Sequence, residues 1–243
     1  MKNRKNLAVH TATTAALLPM KVKYLKFTKM LLFAAFFILH SSFFISCKED
    51  NDTVDEYANW QQRNEQFFAT LEDSLASNPG TWTKFKSYSK DQSLAVGYNT
   101  DCIYVKQFAP LDKDEYNLGD TTTFPMGTDS VRVSYEGRLI PSATYPQGYV
   151  FDTRAYQGFN AGTSATSKLV LSGSLVDGFT TALLHMHRGD HWLVYIPYQL
   201  GYNSSSQTGI PAFSTLIFDL VLIDFSPVGQ TMPVWNARQS TTY

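Results

Sequence analysis

The sequence predicts an α+β fold: an antiparallel sheet of five strands curved around one short helix, with a longer amphipathic helix in front. Three observations predict it. Apolar and polar residues alternate over residues 131–135 and 215–225, and in the second run Leu216, Phe218, Leu220 and Leu222 share one face. Phe179, Ala182, Leu183 and Met186 recur at i, i+3, i+4 and i+7, the spacing of one buried helical face. Near the start, Val54, Tyr57, Trp60, Phe67, Phe68, Leu71 and Leu75 also fall close to helical spacing.

The elements follow in order. Thr53 and Glu56 have the spacing of a capping box, which places a helix over residues 53–77, about six or seven turns long. Asn78, Pro79 and Gly80 stop it. Its apolar stripe either folds back onto its own chain or meets a second copy in a homodimer. Residues 81–99 are mixed and polar and carry no assignable period. Strands are expected over 103–108, 131–135, 168–171, 191–196 and 215–225, with a loop rich in Pro, Gly and Tyr over 140–149. The short helix takes Asp177 as its N-cap and ends on His187, Arg188 and Gly189, a basic C-terminus followed by a stop. It should pack inside the concave sheet.

The formal net charge of -1 conceals an asymmetry. Residues 1–47 hold seven Lys/Arg (Lys2, Arg4, Lys5, Lys21, Lys23, Lys26 and Lys29) and no acid, leaving thirteen basic against twenty-one acidic residues, or -8, over 48–243. So acidic a body has no electrostatic footprint for nucleic acid. The basic stretch leads into the apolar run 30–39 and then to Ser46 and Cys47, the plan of a secretory signal. Ending on cysteine, it resembles a bacterial lipoprotein signal, which implies that Cys47 is the acylated first residue of the mature chain. His40, Ser41 and Ser42 interrupt the apolar run and argue against a full membrane span. A start at Met20 gives a signal of ordinary length. The acidic stretch 48–52 reads either as a solvated linker or, by resemblance, as a surface-export tag of Bacteroides-type lipoproteins. With Cys47 acylated, Cys102 is left alone, so no disulfide is expected.

The chemistry-bearing residues come in a recognisable order. Tyr135, Glu136 and Gly137 are followed by Phe151 and Asp152, then by Leu175, Val176, Asp177, Gly178 and Phe179. Ile196, Pro197, Leu200 and Tyr202 come next, then Ile210 with Pro211, and Leu216 with Phe218. This series, over residues 101–226, resembles the FKBP-type peptidyl-prolyl cis-trans isomerases. The resemblance implies an FKBP-like domain at 101–227, between a helical arm and linker at 48–100 and a tail at 228–243. It implies that Phe179 is the floor under a proline ring, with Tyr135, Phe151, Ile210 and Phe218 as walls and Leu175 beside them. The backbone N–H of Val176 and the Tyr202 hydroxyl would hold carbonyls of the bound peptide, and Asp152 would accept from Tyr135. The sequence departs from the family pattern in four places: Phe179 stands where Trp is commonest, Asn203 where Gly is usual, the 140–149 loop is longer than in minimal members, and no aromatic begins the 168–171 strand.

Such an enzyme needs neither cofactor nor metal. An X-Pro amide resists rotation by ~18–20 kcal/mol because of resonance. The twisted transition state has lost that resonance and is less polar, so an apolar, water-poor pocket favours it over the ground state. His185, His187, Asp190 and His191 cluster in sequence, but side chains two positions apart around a helix end diverge, which is poor geometry for one ion. The expected partners are proline-containing segments of exported proteins, and the membrane through the lipid. The alternatives are a non-catalytic peptide-binding or chaperone module on the same fold, and a structural lipoprotein that uses the 53–77 helix as its partner site.

Overall fold

The computed structural model describes residues 55–94, 97–155, 158–160 and 163–235, all within one compact unit. The signal-like segment, Cys47, the acidic stretch 48–52, Thr53 and Val54 lie outside the described residues. Among those described, no helix is long and apolar enough to cross a membrane.

Two helices, α1 (Trp60–Ala69) and α2 (Leu71–Ser77), come first, followed by β1 (Trp82–Lys86) and β2 (Cys102–Gln107). After them come β3 (Ser130–Arg138), β4 (Val150–Thr153), β5 (Ser167–Val170), α3 (Asp177–His185), β6 (His191–Ile196) and β7 (Leu216–Ser226). Seven strands form one antiparallel sheet in the order β1-β2-β6-β7-β3-β4, with β5 also on β3. The two strands beyond the expected five are β1 and β4. β1 falls in the stretch that carries no legible period, because all five of its residues are only partly buried at a sheet edge. β4 is four residues long and shares the outer edge of β3 with β5: it pairs with residues 136–138, β5 with residues 130–133.

β7 is buried along nearly its whole length. Its register against β3 runs Val133 to Leu222 and then Arg132 to Asp224, so Ile223 bulges. The extra residue reverses the alternation. Leu216, Phe218, Leu220, Leu222 and then Phe225 therefore face one core, while Val221 and Ile223 pack with Leu118 on the other side.

On the concave side α3 lays Phe179, Ala182, Leu183 and Met186 against the sheet, all nearly or fully buried. Its N-cap is Val176 rather than Asp177, which is the first helical residue. The acid still lies in the first turn, where it complements the helix dipole. A Cβ on Gly178 would stand 2.3 Å from Ile196 Cγ2, so the glycine permits this close approach of helix and β6.

The N-terminal helix differs from its expectation at its start. Helical structure begins at Trp60, with Asn59 at φ 51° as the N-cap, and Glu56 precedes it. Glu56 instead accepts the Thr144 N–H at 3.2 Å and its hydroxyl, tying the chain to the 140–149 loop. At Thr70 the hydroxyl donates back to the Phe67 carbonyl at 2.7 Å, and there α1 gives way to α2. Both helices fold back onto their own sheet. Phe68 meets Tyr104 edge-on at 5.1 Å, Phe67 lies 6.2 Å from Tyr195, and Leu71 completes the cluster. Trp60 donates from Nε1 to Ser214 Oγ at 2.8 Å. Asn64, 0% exposed, donates to the Trp60 carbonyl and accepts the Thr215 N–H at 2.7 Å.

That last bond fixes the start of β7, because a buried backbone donor without a partner costs about 1–3 kcal/mol. Asn64→Ala is accordingly expected to lower the unfolding free energy by about that amount in a urea titration, with the helix still present by circular dichroism. Unchanged stability would mean that α1 does not support β7.

Candidate active site

Five elements converge at the concave end of the sheet where α3 begins. β3 carries Tyr135 and Gly137, and Gly137 sits opposite Phe218 of β7 on one side and Asp152 of β4 on the other. A Cβ on Gly137 would lie 2.6 Å from Phe151 Cε2 and 2.7 Å from Phe218 Cε1. The missing side chain is what lets those rings meet, edge to face at 5.6 Å. Phe218 in turn meets Phe179 at 4.9 Å and Tyr135 at 6.0 Å, and Tyr135 meets Phe179 at 5.8 Å.

Adjacent residues of a strand ordinarily point to opposite faces. Phe151 and Asp152 both reach the cavity because β4 bulges. Gly137 pairs with Asp152 and Arg138 with Val150, leaving Phe151 as the unpaired extra residue, re-aimed by the kink. Asp152 then accepts the Tyr135 hydroxyl at 2.6 Å. Burial, the hydrogen bond to Asp152 and its charge push the Tyr135 phenol up to about 12. Tyr135 is therefore a neutral donor at any physiological pH.

The remaining wall comes from α3 and from the chain between β6 and β7. Val176 ends an extended approach to the helix, and its own N–H donates to no acceptor among the described residues. After the short 3-10 turn Tyr198–Leu200, Tyr202 stands 38% exposed at the rim, its hydroxyl without a hydrogen bond among the described residues. Asn203, where the resemblance leads one to expect glycine, is left-handed at φ 55°. Asparagine is among the few residues that tolerate this conformation, so the turn survives the replacement. Paired backbone bonds between Gln207 and Ile210 fold the following loop over the cavity.

The result is one cavity of about 440 Å³. Tyr135, Phe151, Asp152, Leu175, Val176, Phe179, Tyr202, Ile210 and Phe218 all border it. Cys47 lies outside the described residues. Leu169, Ser174, Gln207 and Thr208 also line it, and no motif in the sequence marks them. Leu169 stands between Lys168 and Val170 in β5, on the strand where an aromatic is missing, and its position opposite Val131 turns it inward. Gln207 and Thr208 arrive through the loop's fold alone, and no periodic signal marks them.

Neither cysteine, histidine nor lysine lines the cavity, and its titratable groups are Asp152, Tyr135 and Tyr202. The clustered histidines lie elsewhere and apart. His185 Nδ1 is 2.9 Å from the Thr181 carbonyl, the His187 ring lies 3.9 Å from that of Phe124, and His191 pairs with Asp219 at 2.5 Å. Among the described residues no three His, Cys, Asp or Glu side chains gather around a point that could hold a metal.

Comparison with known proteins bears on the same region. The family model described as FKBP-type peptidyl-prolyl cis-trans isomerase matches residues 121–223. The FKBP-type 22 kDa peptidyl-prolyl cis-trans isomerase of Escherichia coli is 35% identical over 101 residues, covering 41% of this chain and 43% of that one. The E. coli isomerase FkpA is 31% identical over 160 residues, 65% of this chain and 50% of its own. The peptidyl-prolyl cis-trans isomerase Mip of Coxiella burnetii is 37% identical over 100 residues, 41% of this chain and 38% of its own. The chain thus spans half or less of the length of these relatives. The likeness to the FKBP-type peptidyl-prolyl cis-trans isomerases thus lies in residues 121–223, the stretch that holds the cavity's aromatic residues.

Proposed function

We propose that the chain is a peptidyl-prolyl cis-trans isomerase that assists the folding of exported envelope proteins from a lipid anchor at Cys47. The observation that carries the reading is the cavity itself, with five aromatic rings and Ile210 around a volume that a proline and its flanking backbone would fill. The proline ring rests on Phe179, with Tyr135, Phe151, Ile210 and Phe218 closing the sides. Both groups that would grip peptide carbonyls, the Val176 N–H and the Tyr202 hydroxyl, lack a protein acceptor among the described residues. Holding the carbonyl on either side of the prolyl bond while water is excluded favours the twisted, less polar amide. Each ~4 kcal/mol of such preference is about a thousandfold in rate. Asp152 keeps Tyr135 turned along the wall, so the rings that lean on Tyr135 keep their places.

The envelope location rests on the signal-like run 30–47 and its terminal cysteine. Acylation with more than one chain would hold the protein stably at a membrane. Two observations favour a second reading, a peptide-binding module without turnover. Phe179 is a smaller platform than tryptophan, and Leu169 leaves that side of the pocket without a ring.

A protease-coupled assay with varied residues before proline separates the two. Turnover above the thermal rate is expected, falling about tenfold or more in kcat/KM for Phe151→Ala, which loses a wall, and about threefold for Tyr202→Phe, which loses one hydrogen bond. Phe179→Trp should raise turnover. A folded protein that binds prolyl peptides and never exceeds the thermal rate would leave the binding module.

The Tyr135 phenol supplies a further check. Its folded value lies above the ordinary value of 10, so the folded state holds the proton more tightly and the associated stability is complete below pH 10. That stability should be lost as pH rises from 10 to about 12. Tyr104 is also displaced upward, by burial and by its bond to Glu72, so the wild-type slope contains both groups. Tyr135→Phe should flatten the decline while leaving the Tyr104 part; an unchanged slope would place Tyr135 in contact with solvent.

A further inference from the structure

A second cavity, of about 540 Å³, lies on the face of the sheet turned away from α3. Arg132, Asp224 and Ser226 of β3 and β7 form its base. Residues 117–120, 230–231 and 233–235 and Pro227 wall it, with Trp235 anchored through Nε1 to the Tyr116 carbonyl at 2.9 Å. Two arginines reach it, and they are in different states.

Arg188 is fully engaged. It donates from Nε to Asp224 at 2.7 Å, from Nη1 to the Asp120 carbonyl and from Nη2 to the Phe225 carbonyl, and it lies 3.5 Å over the Phe225 ring. Arg132 is not engaged in this way. Its Nη1 is buried with no hydrogen-bond partner, and so is the hydroxyl of Ser226 two positions along the same face. The acid directly across the strand pair is Asp224, whose Oδ1 accepts from Arg188 and from the Phe225 N–H. On its other side Arg132 faces Lys168 of β5, a like charge in directly opposed register. No ion pair to Arg132 or Lys168 occurs among the described residues.

A guanidinium with a buried, unbonded nitrogen, on the same face as a buried unbonded hydroxyl and across from a second cation, has no ion pair of its own, because Asp224 opposite it is engaged by Arg188. We propose that this cavity is a binding site for an oxyanion, a carboxylate or phosphate group of a small ligand, held by Arg132 with help from the Ser226 hydroxyl. Arginine's planar fork suits either group, binding it through two parallel N–H donors. Pro233 and Trp235 give the ligand's body an apolar flank beside the charged base. The site is separate from the aromatic pocket, which opens on the concave side, and it does not depend on isomerase activity.

The test is isothermal titration of the full chain, purified in detergent, with inorganic phosphate and separately with glutarate at constant ionic strength. One-to-one saturable binding of at least one is expected. It should weaken about tenfold or more in Arg132→Met, be partly kept in Arg132→Lys, and stay unchanged in Lys106→Met, a cation on β2. Saturation by phosphate alone assigns a phosphate ligand, and saturation by glutarate alone a carboxylate. Arginine Nε–H resonances follow the same titration, so a variant that binds nothing is distinguished from one that is unfolded. No saturation by either anion at millimolar concentration would overturn the proposal. So would binding that is as tight in folded Arg132→Met as in the original chain.

Discussion

The pairing of β3 with β7 is the contact on which the rest of the molecule depends, and Gly137 is its critical point. Nine registered positions align Tyr135 and Gly137 with Leu220 and Phe218. At Gly137 the backbone is bare, so the Phe218 ring from one neighbour and the Phe151 ring from the other occupy the space a side chain would fill. The aromatic wall is therefore built from a vacancy in the central strand. Any Cβ there would drive both rings into the cavity or pull the strands apart, and a well-packed interior accommodates neither cheaply.

Irregularities in the pairing do the remaining placement. The bulge at Ile223 lets β7 serve two cores, one beneath α3 and one beneath Leu118. The bulge at Phe151 brings two consecutive residues into the same pocket, so one edge strand supplies both a hydrophobic wall and the acceptor for Tyr135. Each costs a ladder hydrogen bond and returns a side chain aimed where regular pleating would not put it. The left-handed Asn203 acts similarly in the rim, where it turns the chain after Tyr202 toward the loop that closes over Ile210.

The two faces of the sheet have separate chemistries. The concave face gathers aromatic rings, with the hydrogen-bonded Asp152 and the polar side chains of Ser174, Gln207 and Thr208 around them. The outer face carries α1 and α2 over β1, β2 and β6, and Arg132, Arg188 and Asp224 over β3 and β7. Asn64 and Trp60 link the helices to residues 214–215, just before β7. The N-terminal helices thus brace the strand that carries Phe218 and are not a detached arm.

Much of this was legible in the chain. Period-two alternation marked β3 and β7, period 3.6 marked α3, and the ordered series from Tyr135 to Phe218 named nine residues that prove to share one cavity. These signals are local, because burial on one face imposes a fixed repeat on the residues that achieve it. What lay beyond reach was whatever depends on partners distant in sequence. Helix α1 could not show its start at Trp60, since Glu56 is drawn off by Thr144, eighty-eight residues away. Strand β1 has no pattern because an edge strand need not bury either face completely. Leu169, Gln207 and Thr208 enter the pocket only through register and loop closure. Fold class and the aromatic set are readable in the chain, since hydrophobic period and residue type are written along it. Where bulges fall, which face each side chain takes and which charge is left without an ion pair follow instead from strand register, which pairs residues the chain order keeps far apart.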